Sequence, residues 1–332
     1  MSATRIYRDL CLVYKYKKMT CNRCRERCPG AAIGEDLSIN AACNDCGLCL
    51  AACPAEAIAG ENYSPAALRK GLSGTAPLLF HCQKQNSSSD WPCLGFLDAR
   101  LLVGLALNIS EDRILLIDDS GCEHCRLPVK EQLWDSVGKA NALLSYLDRP
   151  LIKTGACAQN INADRQPISR RHFFTKLFGA AIETVGEVVL PAAADPAPLK
   201  RSSFFARIGE NELDLPDGAS QQIFTAITVT DSCHACGLCE KVCPNQAIII
   251  QKEDEAAIQL YHNPLLCTRC GVCASFCQQR AIHFQWAEVL KTHLVANVSL
   301  PQCRCCGNYY QPMGGSEFCL ECKFQNHGSD LW

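Results

Sequence analysis

The sequence predicts a multidomain α+β protein: two cysteine-laddered modules, a small α/β domain between them, and a C-terminal knuckle module. Three observations carry that expectation. Twenty-six cysteines stand in 332 residues, most of them in C-x2-C runs toward the two ends. Residues 76–158 instead alternate strand-like and helix-like apolar patterns, as a β-α-β-α-β unit does. Residues 191–198 (P-A-A-A-D-P-A-P) read as a Pro/Ala linker.

The first module covers residues 1–65. Residues 10–17 read as a short strand. Cys21, Cys24 and Cys28 follow, then Cys43, Cys46, Cys49 and Cys53. Both runs end in Cys-Pro, where proline stops a helix and turns the chain away. In the α/β domain, strands are expected at 77–81, at 113–118 and from Leu151, with helices at 98–108 and 129–147. The second of those helices carries Leu133, Val137, Ala140, Leu144 and Leu147 at helical spacing. A connector covers 159–225, with an amphipathic helix over 169–190. The second module covers 226–290. It runs Cys233-x2-Cys236-x2-Cys239-x3-Cys243, then a hairpin of 247–251 and 256–262, then Cys267-x2-Cys270-x2-Cys273-x3-Cys277. Residues 300–332 hold Cys303-x2-Cys306-Gly307 and Cys319-x2-Cys322, then a short tail.

Composition narrows the classes. Lys plus Arg (32) and Asp plus Glu (34) nearly cancel, so no global charge points to nucleic acid or a membrane. Residues 1–28 are locally basic, and Tyr14 and Tyr16 lend them a faint nucleic-acid look. A basic face around an anionic metal group is the better reading, and no nucleic-acid partner is expected. Residues 1–18 are polar and charged, without a secretory apolar region, and no apolar run reaches the ~18 residues of a membrane span. Paired cysteines in such a chain read as metal sites in a reducing cytoplasm. Residues 169–176 (S-R-R-H-F-F-T-K) resemble a twin-arginine export signal, but a cysteine module precedes them and Glu183 and Glu187 interrupt the following tract. An internal helix that docks on a domain, a partner or a membrane surface is expected there. The chain has no G-x-G-x-x-G, no G-x4-G-K-[ST] and no C-x3-C-x2-C.

C-x2-C-x2-C-x3-C brings three thiolates from one tight loop onto a cubane iron–sulfur cluster and sends the fourth to a neighbouring one. Both modules resemble bacterial two-cluster ferredoxins. The resemblance implies one [4Fe–4S] cluster on Cys233, Cys236, Cys239 and Cys277, and another on Cys267, Cys270, Cys273 and Cys243. Gln278 replaces the usual proline after the last cysteine, which would loosen the turn without removing a ligand. In the first module, Cys43, Cys46, Cys49 and Cys28 make a full set. Cys21, Cys24 and Cys53 lack a fourth member, because Lys18 stands where a first cysteine belongs. Cys11 is the expected fourth ligand. Without it, three thiolates would hold a three-iron cluster, or four irons with an outside ligand.

Cys82, Cys93, Cys122 and Cys125 fall at carboxyl ends of the predicted parallel strands, where ligands of open sheets gather. In cysteine placement and β-α pattern this domain resembles the small iron–sulfur subunit of heterodisulfide-reductase-linked hydrogenases. Its four thiols could hold a fifth centre, iron–sulfur or zinc. Cys303, Cys306, Cys319 and Cys322 resemble a zinc ribbon or a rubredoxin-like pair; zinc is expected, and a single iron would fit the same cage. Cys305 is spare, either replacing Cys303 or staying free, and Cys157 has no partner pattern.

The resulting expectation is a polyferredoxin-like electron-transfer subunit of anaerobic metabolism without a catalytic site of its own. Its partners would be an electron donor and the catalytic subunit of a larger oxidoreductase. Two alternatives remain: an accessory protein in the maturation of a metallo-oxidoreductase, and an enzyme whose α/β domain is fed by the clusters. Cations favour a reduced, more negative cluster, so the basic first module should hold the higher potentials and the more acidic second module the lower.

Overall fold

A computed structural model describes residues 4–87, 89–125, 127–156, 197–205, 222–252, 254–312 and 316–327. The chain opens with β1 (Thr4–Ile6). The stretch expected to be a strand is instead a one-turn helix, α1 (Leu12–Lys15), with Cys11 at its N-cap. Its apolar pattern is too short to set a period, and local hydrogen bonds decide: the Lys15 N–H closes on the Cys11 carbonyl at 2.8 Å. Next come α2 (Arg23–Glu26), α3 (Leu48–Ala52) and β2 (Ile58–Gly60), which returns antiparallel to β1. Then α4 (Pro65–Leu72) leads out, with proline in its first turn and the Ser64 hydroxyl accepting from the Ala67 N–H.

The α/β unit runs β3 (Leu78–Phe80), α5 (Ala99–Asn108), β4 (Leu115–Ile117), α6 (Val129–Tyr146) and β5 (Lys153–Thr154). Its three strands are parallel, in the order β3-β4-β5. Asp98 caps α5 by accepting the Leu101 N–H at 2.7 Å. On α6 the stripe of Leu133, Val137, Ala140 and Leu144 is buried, and Leu147 follows as a half-buried C-cap.

The last third contains β6 (Thr225–Val229), α7 (Leu238–Val242), β7 (Ile248–Lys252), β8 (Ala257–His262), α8 (Val272–Phe276), β9 (Ile282–Trp286), β10 (His293–Ser299) and α9 (Leu320–His327). β6 pairs antiparallel with β9, and β7 with β8 as a hairpin. β10 covers the other edge of β8, which the sequence reading did not anticipate. A register shift between Leu294 and Ala296 breaks the alternation that would have marked it.

The expected connector is partly core. Leu199, Arg201, Phe204, Phe205 and Phe224 are buried. Gly104 of α5 makes room for them, since a Cβ there would lie 2.9 Å from that of Phe204. The helix expected over 169–190, the arginine pair within it, residues 191–196 and Cys157 lie outside the described residues.

Two bridges tie the last third to the rest of the chain. The Tyr16 hydroxyl donates to the Val242 carbonyl at 2.9 Å, and its ring meets Phe276 edge-on at 5.4 Å. Arg100 of α5 is buried and donates to the carbonyls of Leu265 and Cys267. Tyr14 is also engaged inside the chain, donating to the Asp36 carbonyl with Arg8 over its ring.

Candidate metal centres

One turn is built four times. Three residues after the last cysteine of each ladder the backbone is left-handed: Ala31 (φ +46°), Glu56 (+51°), Gln246 (+53°) and Arg280 (+51°). The next residue is always a buried alanine whose N–H points back at the cysteine sulfur. The pairs are Ala32 to Cys28 at 3.2 Å, Ala57 to Cys53 at 3.3 Å, Ala247 to Cys243 at 3.3 Å and Ala281 to Cys277 at 3.4 Å. Such donors stabilise negative charge on sulfur. The reading of the ladders missed these alanines, although the C-x3-A repeat stands in the sequence.

Gln278 does not loosen its turn. Arg280 has the same φ as the proline-bearing turns, and the Ala281 N–H reaches sulfur like the others. Gln278→Pro should therefore change stability by less than about 1 kcal/mol in anaerobic thermal unfolding. A much larger loss would show that this turn differs from its counterparts.

A second device holds three of the C-x2-C loops. Asp45, Ala235 and Arg269, each just before the second cysteine, are left-handed, and so are Gly47, Gly237 and Gly271 just after it. The loop of Cys21 and Cys24 departs: Asn22 sits at φ −129° and caps α2. This is also the loop whose first cysteine is replaced by Lys18.

The thiols gather in sets. Burial, and then the charges of Cys53, Cys21 and Cys11, push Cys24 up to about 11. Cys11 thus stands within electrostatic reach of that set, on a helix cap rather than on a strand. Burial raises Cys49 strongly, and Cys46, Cys43, Cys24 and Cys28 add to it. Cys239 is pushed up to about 12 by burial, with Cys233 and Cys236 adding, and Cys233 in turn feels Cys277. Cys273 is raised by burial and then by Cys267, Cys270 and Cys243. The last of each ladder therefore crosses to the other loop.

Buried thiolates at such proximity repel one another unless a cationic centre lies between them. The arrangement provides room for one. Cys28, Cys43, Cys46 and Cys49 bound a narrow void, as do Cys243, Cys267, Cys270 and Cys273. The set of Cys233, Cys236, Cys239 and Cys277 opens onto a cavity of 390 Å³, and Cys236 is exposed.

In the α/β unit, Cys82 and Cys93 are buried around a bridge between Cys82 and Trp91. Cys122 and Cys125 follow β4 on and just after a 3-10 turn, Ser120–His124. Burial, and then Cys93 and Cys82, push Cys122 up to about 11, with Asp119 and Cys125 adding. Lys84 donates to Cys125 at 3.7 Å. This set abuts the first module: Cys93 and Cys46 share an apolar cluster with Leu48 and Val129, and a Cβ on Gly95 would strike the Cys46 carbonyl.

The C-terminal set is tighter. Sγ atoms of Cys303, Cys306, Cys319 and Cys322 all lie within 4.8 Å of one another, with 3.8 Å between Cys306 and Cys319. A tetrahedron with metal–sulfur bonds of about 2.3 Å has edges of about 3.8 Å. Among the described residues no other set closes to this single-ion spacing. Gly307 (φ +73°) turns its N–H onto the Cys303 carbonyl, and Cys305 is exposed outside the cage.

Double ladders of this build, half-buried or deeper except at Cys236, support an iron–sulfur electron-transfer role with [4Fe–4S] clusters. The comparison with known families says the same of the second module: a family described as a 4Fe-4S dicluster domain matches residues 232–281. The match covers well under half of the chain. No curated protein matches the sequence. Among the described residues, no helix is long and apolar enough to cross a membrane.

Proposed function

We propose that the chain is a polyferredoxin-like relay subunit with four [4Fe–4S] sites, passing electrons between a donor and the catalytic subunit of a larger oxidoreductase. The carrying observation is the fourfold turn. The two copies in residues 232–281 lie in the matched domain, and the first module repeats them with the same φ and the same N–H to sulfur geometry. Strand pairing follows suit. β1 with β2 mirrors β6 with β9, and the Tyr7 N–H on Ala57 (2.8 Å) mirrors that of Thr230 on Ala281 (2.9 Å).

When bound, such clusters accept and release single electrons. The chain's part is to hold the sets close and dry. Cys11, Cys24, Cys49, Cys53 and Cys270 all border one continuous apolar core. Cys11 completes the set of Cys21, Cys24 and Cys53 in this reading. Cys82, Cys93, Cys122 and Cys125 form a fifth centre of the iron–sulfur class, because their sulfurs do not close to single-ion spacing. The C-terminal cage takes zinc and is structural.

Buried cations stand at the cysteine sets of both modules, so charge does not order their potentials. Arg201 donates to the Cys53 carbonyl, as a basic first module requires, but Arg100 places an equally buried cation against Cys267.

Iron, sulfide and zinc analysis of anaerobically purified protein tests the reading. About 16 irons and one zinc fit the four cubanes and the cage, and two to four further irons fit the fifth centre. About eight irons would confine the clusters to the matched domain and end the relay proposal.

A further inference from the structure

We infer that His262 donates a hydrogen bond to the cluster held by Cys243, Cys267, Cys270 and Cys273, and that this bond raises that cluster's potential above the value its thiolates alone would give. The inference rests on the matched module holding its clusters.

His262 is the last residue of β8 and is fully buried. Neither Nδ1 nor Nε2 has a hydrogen-bond partner. Buried polar groups without partners are rare, and each needs a cause. The ring lines the void bounded by the four cysteines, beside apolar Ile227, Ile248 and Phe284. The two other polar side chains of that lining, Asn245 and Thr268, bond each other at 2.9 Å. His293 stands edge-on with ring centroids 6.1 Å apart and turns its own Nδ1 to the Lys291 carbonyl, so it does not satisfy His262.

The void therefore offers His262 its partner. A cluster presents sulfide and thiolate sulfur, which only accept, and a neutral imidazole has one N–H to give. Burial, with His293 adding, disfavours the imidazolium form, and either form of the ring carries an N–H to give. Reduction adds one electron and hence negative charge to the sulfurs, which strengthens an N–H bond to them.

The first module supplies an internal control. The Asn263 N–H bonds the Ala247 carbonyl at 2.8 Å, and the Asn40 N–H bonds that of Ala32 at 2.9 Å, so His262 corresponds to Ile39. Ile39 lines the void of Cys28, Cys43, Cys46 and Cys49 and has no donor to offer.

EPR-monitored redox titration of anaerobically purified full-length protein tests the inference, with iron and sulfide assayed in the same samples. His262→Ile should leave the iron content unchanged. It should lower the reduced-to-oxidised ratio of one cluster about tenfold at fixed potential, a shift of about 59 mV for one electron. His262→Gln, which keeps an N–H, should recover much of it. Unchanged potentials at full iron content would overturn the inference. Should His262→Ile not fold, 15N-histidine labelling of the unsubstituted chain decides: nitrogen hyperfine coupling to the reduced component that Cys243→Ala abolishes supports the bond, and its absence refutes it. Protein without any iron would instead remove the cluster reading itself.

Discussion

Arg201→Met is expected to destabilise the protein by about 3–5 kcal/mol, read as a lower urea midpoint of anaerobic protein at unchanged slope. The side chain is 7% exposed, and its partner Glu56 is 0% exposed. Nε and the backbone N–H of Arg201 both donate to Glu56 at 3.0 Å. One terminal nitrogen serves Asp98 and the Ala51 carbonyl, and the other serves the Cys53 carbonyl at 2.5 Å. Burial opposes the charge on Arg201, but Asp98 and Glu56 more than compensate and hold it cationic. Methionine would fill the space and leave Glu56 buried with Arg100 as its remaining nearby cation and no ion-pair hydrogen bond, Oε2 already lacking a partner. Adding Glu56→Gln should then cost less than the sum of the two single losses. A loss below about 1 kcal/mol for Arg201→Met would mean that this segment does not fasten the first module to the α/β unit.

The second large effect is the loss of whole clusters in crossed pairs. Cys243→Ala should remove about four irons and abolish the same EPR component as Cys267→Ala. Cys277→Ala should share its lost component with Cys233→Ala. The reason is geometric: Cys243 acts on Cys267, Cys270 and Cys273 although it ends the other ladder, and Cys277 likewise acts on Cys233. If Cys243→Ala and Cys233→Ala silenced the same component, each ladder would be serving a single cluster and the crossed assignment would be wrong.

The features legible in the chain were those fixed by short spacing. The ladders are visible because cysteines two residues apart can face one point. The α/β alternation is visible because Leu133, Val137, Ala140 and Leu144 keep a helical period over about three turns. What escaped depends on distant partners. Phe204 and Phe205 look like linker residues until Gly104 and Asn108, about a hundred positions away, receive them. Arg201 falls in the expected connector and Arg100 in an expected helix, and only the fold sets buried carbonyls before them. His262 is an ordinary strand residue in sequence, and only the fold aims it at a void. Residues 12–15 failed for the opposite reason: a single turn is too brief to show any period, and the cap decides it.

The left-handed residues in 232–281 have a cellular consequence. Ala235, Gln246, Arg269 and Arg280 carry side chains in a conformation that costs roughly 1–2 kcal/mol each. Together that is on the order of 4–8 kcal/mol, comparable to the net stability of a whole domain. With nothing to chelate, these coils would spring open and become substrate for proteases.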